Sequence, residues 1–176
     1  MHTKENIPLD IKLLPMTEDD LDMVVNIENI SFTRPWSKDM FLGELSNPVS
    51  NLFVAKLQGK TDKSGKGGEE RQEIVIGYAV FWVVVGEGHI MNISVAPEFR
   101  RQGVGRRLLR FTIEFMEQAC VTVIFLEVRR TNHAAIKLYK DYGFEDVYVR
   151  KNYYGDEDAL VMRLDPGVLS YPDEGF

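Results

Sequence analysis

The sequence is poor in several things that would have fixed its chemistry at once. Its only cysteine is Cys120, so no intrachain disulfide can form. His2, His89 and His133 are its only histidines, scattered without the spacing of a metal site, and no metal is expected. Positive charge is in deficit: 21 Lys and Arg face 27 Asp and Glu, a net charge of -6. Nucleic-acid binders usually carry a basic face, so no nucleic-acid partner is expected. The longest apolar run, residues 74–85, is broken by Gly77 and is too short to span a bilayer. The opening MHTKENIPLD has no apolar segment of the signal-peptide kind. With no membrane segment and a lone cysteine, a cytoplasmic protein without a membrane partner is expected. Internal repeats are also lacking.

What remains is enough for one core. A chain of 176 residues with 44% hydrophobic content suits a single domain, with its core over about residues 10–164. Residues 11–16 read as a first strand. Thr17 and Asp20 mark a helix start, and Leu21, Val24, Val25 and Glu28 carry the helix on. Ser37 can cap a second helix through Leu45, and residues 52–57 follow as a strand. The polar, glycine-rich stretch 59–72 reads as a mobile hairpin loop. Long strands over residues 73–85 and 89–97 come next, the second stopped by Pro97. From Gly105 to Ala119 an amphipathic helix carries Leu108, Thr112, Phe115 and Met116 on one face. Residues 121–128, VTVIFLEV, are apolar on both alternating faces and predict a strand buried on both sides. A helix opens at Thr131 or Asn132 and closes at Gly143 and Phe144 in the manner of a Schellman motif. Two strands close the fold, and a loosely ordered tail runs from Asp165. The total is an α/β (α+β) domain with one mixed sheet of about seven strands.

One turn stands out. In EFRRQGVGRRLL, residues 98–109, four arginines surround Gly103 and Gly105 just where a helix begins. Glycines allow a sharp turn and close approach to a ligand. The unpaired N–H groups of a first helical turn attract anions, as does the helix dipole. Arg101 and Arg106, with Arg100 beside them, add mobile positive charge. The turn therefore suits phosphates. It is not a Walker loop, because Arg106 follows Gly105, and it lacks the third glycine of a dinucleotide fingerprint, because position 108 is leucine.

Two residues could do proton chemistry. Glu127 ends the apolar run VIFLEV, where a carboxylate is either functional or paired. The pattern alone leaves open a general base, an exposed strand end and a pair with Arg129. Tyr139 could return a proton to a leaving group, or could be a core aromatic on the helical face it shares with Ile136 and Tyr142. Cys120, at a helix end among apolar residues, reads as inert packing, so no acyl-cysteine intermediate is expected.

The motif RRQGVGRRLL resembles the Arg/Gln-x-x-Gly-x-Gly/Ala signature of the GNAT acetyltransferase superfamily. NISVAPEFR is similar to that family's central strand. LEVRRTNHAAIKLYKDYGF, followed by RKNYY and DALVM, resembles its ribosomal-protein-alanine N-acetyltransferases, over residues 10–164. The resemblance implies a mostly antiparallel sheet flanked by about four helices, and acetyl-CoA as co-substrate. That ligand would be held by Ile93, Ser94, Val95, Arg101, Gln102, Gly103, Val104, Gly105, Arg106 and Asn132. It further implies Glu127 as base and Tyr139 as acid. Trp36, in the FTRPWSKDM loop, and Tyr153 and Tyr154 would line the acceptor groove. Two adjacent tyrosines of a regular hairpin face opposite ways, so one at most should point inward unless the turn is irregular. The implied activity is direct transfer of acetyl to the N-terminal amine of a protein, a ribosomal protein's alanine among the acceptors. A GNAT enzyme acting on a metabolite or lysine, and an acyl-CoA-binding module without turnover, are the alternatives.

Overall fold

The computed structural model describes residues 10–58 and 73–167. The expected 59–72 loop, His2 and the tail beyond residue 167 lie outside the described residues.

Strand β1 (Ile11–Pro15) runs into the Thr17 turn. There the Thr17 N–H donates to the Asp20 carboxylate at 3.0 Å, and Lys56 Nζ lies 2.6 Å from the same buried group. Burial opposes ionisation of Asp20, but Lys56 and the Thr17 donors outweigh it and hold the carboxyl below its ordinary value. The turn opens helix α1 (Leu21–Ser31), which buries Leu21, Val24 and Ile27. Ser37 caps α2 (Lys38–Leu45), its hydroxyl accepting from the Met40 N–H at 3.3 Å. Strands β2 (Ser50–Gln58), β3 (Glu73–Val84) and β4 (Glu87–Val95) follow. Then come α3 (Val104–Gln118), β5 (Val123–Arg129), α4 (His133–Asp141), β6 (Glu145–Arg150) and β7 (Ala159–Leu164).

The seven strands form one sheet in the order β1-β2-β3-β4-β5-β7-β6. Only β4 and β5 are parallel; every other neighbouring pair is antiparallel. Helix α3 covers one face, where Leu108, Leu109, Ile113 and Met116 meet Ile76, Phe81, Ile124 and Leu126. Helices α1 and α2 cover the other, where Phe41 packs edge-on against Tyr78. Helix α4 ends as its sequence predicts: the Phe144 N–H donates to the Tyr139 carbonyl and the Gly143 N–H to that of Lys140, both at 3.0 Å.

Two expectations need correction. Strand β5 is not buried on both sides. Ile124, Leu126 and Val128 are buried against α3, but Val123, Phe125 and Glu127 are only half-buried. The reason is that α1 and α2 lie over β2, β3 and β4 and stop short of β5. Cys120 is not packed: it is exposed, with φ +58° in the turn that reverses the chain from α3 into β5. Strand β6 forms one edge of the sheet, exposed along its whole length, with Val147 bulged out of register.

Candidate active site

The site begins where the one parallel pair comes apart. Strands β4 and β5 are in register from Glu87 opposite Val123 to Ile90 opposite Leu126, and not beyond. At that point β4 carries a bulge: Ile90 faces Phe81 and Asn92 faces Val80, leaving Met91 over. A bulge bends its strand and exchanges the faces that follow. Residues 91–95 therefore keep β3 on one side and present an open edge on the other. Ligands of α/β sheets settle beyond the carboxyl ends of parallel strands. Ile93 and Val95 pack half-buried on the α3 side. Ser94 is buried on the α1 side, where its hydroxyl donates to Ser31 Oγ at 2.9 Å. Of Ser94, the backbone alone is left for a ligand.

The glycine turn lies at the end of this slot. Arg101 (φ +60°) and Gly103 (φ +82°) both take the left-handed conformation, which reverses the chain into α3. The helix starts at Val104, one residue earlier than its periodicity suggests. The first intrahelical bond is from the Arg107 N–H to the Gly103 carbonyl at 3.0 Å. The N–H groups of Val104, Gly105 and Arg106 precede it, at the positive end of a 15-residue helix. A Cβ on Gly105 would stand 3.8 Å from Val95 and from Leu138, so this glycine lies where the first turn of α3 packs against β4 and α4. The side chains around it are less mobile than expected. Arg106 lies 3.3 Å from Asp141. Arg100 donates to the Val95 carbonyl and to Ser31 Oγ, each at 2.9 Å. Gln102 donates to the Glu98 carbonyl at 2.8 Å. Arg101 remains exposed. Asn132 caps α4, its side-chain oxygen accepting from the Ala135 N–H at 3.2 Å.

Glu127 projects from the half-open face of β5. Its partner is Arg150, at 2.9 Å, and not Arg129. Tyr153 stacks under the Arg150 guanidinium, 4.4 Å from ring centre to carbon. Tyr154 donates from its hydroxyl to the Glu127 backbone carbonyl at 3.2 Å. The β6–β7 turn is irregular, and the two tyrosine rings meet edge to face at 5.0 Å instead of diverging. Burial above all pushes the ionisation of the Tyr154 hydroxyl up; neighbouring Tyr153, Glu127 and Tyr139 act in the same direction and the Arg129 guanidinium acts against it. The fold thus gathers Glu127, Tyr139, Tyr153 and Tyr154. Tyr139 is half-buried, and burial of its hydroxyl pushes the phenol up to about 12.

One residue of the site escaped the sequence reading. Glu28 lies on α1 with 1% exposure. Its carboxylate accepts from the Trp36 N–H at 2.9 Å, from Asn92 Nδ2 at 3.1 Å and from the Tyr78 hydroxyl. Burial pushes its carboxyl above the ordinary value, and the three neutral donors offset part of that. Glu28 thereby ties the Trp36 loop to β4 beside the bulge. Trp36 itself is half-buried, its ring 5.4 Å from Phe41. The clue in the sequence was an acid on the apolar stripe of Leu21 and Val24. Glu28→Ala would leave three donors without acceptors and should cost about 3 kcal/mol of stability, read from the urea midpoint.

A slot with a positive helix end suits a long ligand that carries phosphates. The profile of the acetyltransferase (GNAT) family matches residues 21–144, more than half of the chain. The chain belongs to the GNAT family. Its relatives include the [ribosomal protein bS18]-alanine N-acetyltransferase of Escherichia coli, 36% identical over 149 residues, 82% of this chain and 90% of that one. A Bacillus subtilis protein assigned the same activity is 38% identical over 150 residues, 84% of this chain and 90% of its own. The crystal structure of the E. coli ribosomal-protein-S18-alanine N-acetyltransferase superposes with a TM-score of 0.73 at 29% identity, covering 94% of this chain and 99% of that one. As a GNAT enzyme the chain takes its acetyl group from acetyl-CoA. The open β4 edge and the α3 N-terminus fit that co-substrate. Among the described residues no group of His, Cys, Asp and Glu could hold a metal ion, and no helix is long and apolar enough to cross a membrane.

Proposed function

We propose that this GNAT enzyme acetylates the N-terminal amine of a cytoplasmic protein, with the N-terminal alanine of a ribosomal protein as the favoured acceptor. The observation that carries this reading is the gathering of Glu127, Tyr139, Tyr153 and Tyr154 at the open end of the β4–β5 slot. Acetyl-CoA supplies the acetyl group as a thioester. Its phosphates fit the N–H groups of residues 103–106 with Arg101 and Gln102, and its pantetheine arm fits the backbone of Ile93, Ser94 and Val95. Asn132, the N-cap of α4, would contact the same ligand.

A free α-amine titrates near 7.7–8.0 and is mostly protonated at neutral pH. Glu127 removes that proton, directly or through a water, and the amine attacks the thioester carbonyl without an enzyme-bound intermediate. An N–H on the open β4 edge stabilises the oxyanion. Tyr139 stays un-ionised and donates to the leaving sulfur. A thiol titrates near 8.5, so full transfer from a phenol near 12 runs uphill. The Tyr139 hydroxyl therefore acts chiefly as a hydrogen-bond donor to the thiolate. Trp36, Tyr153 and Tyr154 border the acceptor.

The test is a competition read by mass spectrometry. Peptides that begin with Ala, Ser or Met are mixed with N-terminally blocked peptides carrying internal lysines. The expected product is acetyl on the α-amine of the Ala and Ser peptides. Acetyl confined to lysines, or none at all, would refute the reading.

A further inference from the structure

Arg129 could have been the partner of Glu127. Its guanidinium, 20% exposed, turns instead to three other places. One nitrogen donates to Asp156 and to Glu157, both at 3.1 Å, in the β6–β7 turn. Another donates to Thr33 Oγ1 at 3.0 Å, in the loop between α1 and α2. The planar group lies 4.3 Å from the centre of the Tyr154 ring, whose hydroxyl holds the Glu127 backbone. Glu157 in turn accepts from the Thr131 N–H at 2.8 Å and so is fixed to the start of α4. A second crossing of the same two loops lies beside it: a Cβ on Gly155 would come within 2.6 Å of the Arg34 guanidinium. One cation thus joins both loops that border the acceptor to the strand that carries Glu127.

We propose that Arg129 is a positioning residue for the acceptor: it clamps the α1–α2 loop to the β6–β7 turn and so sets peptide affinity, leaving acetyl-CoA affinity alone. The proposal rests on the reading above that the acceptor lies between these two loops. The fork matters more than the charge. A guanidinium reaches a hydroxyl, two carboxylates and a ring face at once, which a lysine ammonium cannot do. Thr33 is exposed and contributes only its hydroxyl, so Thr33→Val opens one side of the clamp without disturbing the core.

The experiment compares wild type, Arg129→Gln, Arg129→Lys and Thr33→Val in two readouts. The first is steady-state kinetics with an Ala-initiated peptide. Arg129→Gln and Arg129→Lys should each raise the peptide KM about tenfold, with kcat and the acetyl-CoA KM within about twofold of wild type. Thr33→Val should raise it about threefold, and Thr33→Val added to Arg129→Gln should add little, since both cut the same link. The second is amide hydrogen exchange in the turn, where the N–H groups of Asn152, Tyr154 and Gly155 are bonded within the turn. All variants should exchange there faster than wild type. An unchanged peptide KM, full rescue by lysine, or a joint fall of kcat and acetyl-CoA affinity overturns the proposal. If the Arg129 variants do not fold, Thr33→Val decides by the same two readouts. A wild type that acetylates no N-terminus refutes the acceptor reading, and exchange then judges the clamp by itself: unchanged exchange in the variants overturns it.

Discussion

Glu127→Gln should slow turnover at neutral pH about a hundredfold or more and leave acetyl-CoA binding within about twofold. The amide has nearly the same shape and can still accept from Arg150, which lies 2.9 Å from the native carboxylate. What it loses is the capacity to take a proton. The loss should shrink near pH 9, because an α-amine that titrates near 8 is then already free. Steady-state kcat across that pH range and calorimetric titration with acetyl-CoA check both parts. Turnover within about fivefold of wild type at pH 7 would reduce Glu127 to the ion-pair partner of Arg150.

Gly105→Val should weaken acetyl-CoA binding about a hundredfold while the fold survives. The Cβ of an alanine here would stand 3.8 Å from Val95 Cγ2 and Leu138 Cδ2, an ordinary contact, so Gly105→Ala should change affinity only about threefold. The two further methyls of valine have no such room and would press on Val95 and Leu138, moving the first turn of α3 and the N–H groups proposed to hold the phosphates. Helix propensity does not oppose the change, since valine is a better helix former than glycine. Thermal melting and acetyl-CoA titration separate the two effects. Affinity within about threefold for the valine variant would mean that the ligand passes elsewhere.

Both substitutions fall on residues that the sequence makes visible, and the reason is locality. Strand alternation, the Ser37 and Asn132 caps, the Gly143 stop and the Gly103–Gly105 turn are each set by neighbours within a few positions. An acid at the end of VIFLEV is conspicuous for the same reason. What stayed hidden depends on distant partners. The buried carboxylate of Glu28 collects donors from residues 36, 78 and 92. Arg129 and Arg150 exchange the roles that sequence proximity suggests, because the β6–β7 turn folds back over β5. The bulge at Met91, which opens the slot, leaves no mark in an apolar run that reads equally well as an unbroken strand. Arg100 and Arg106 looked mobile because their anchors, Ser31 and Asp141, are far away in the chain.

The strand order carries a consequence for synthesis on the ribosome. Strand β7 lies between β5 and β6, although β6 is made first. Until residues 159–164 have emerged, β6 has no edge to join and β5 keeps one side bare. Arg150 cannot reach Glu127, and the turn that Arg129 holds is not closed. The nascent chain therefore stays inert until nearly all of its sheet exists. Truncation before Ala159 removes the docking of two strands, not one.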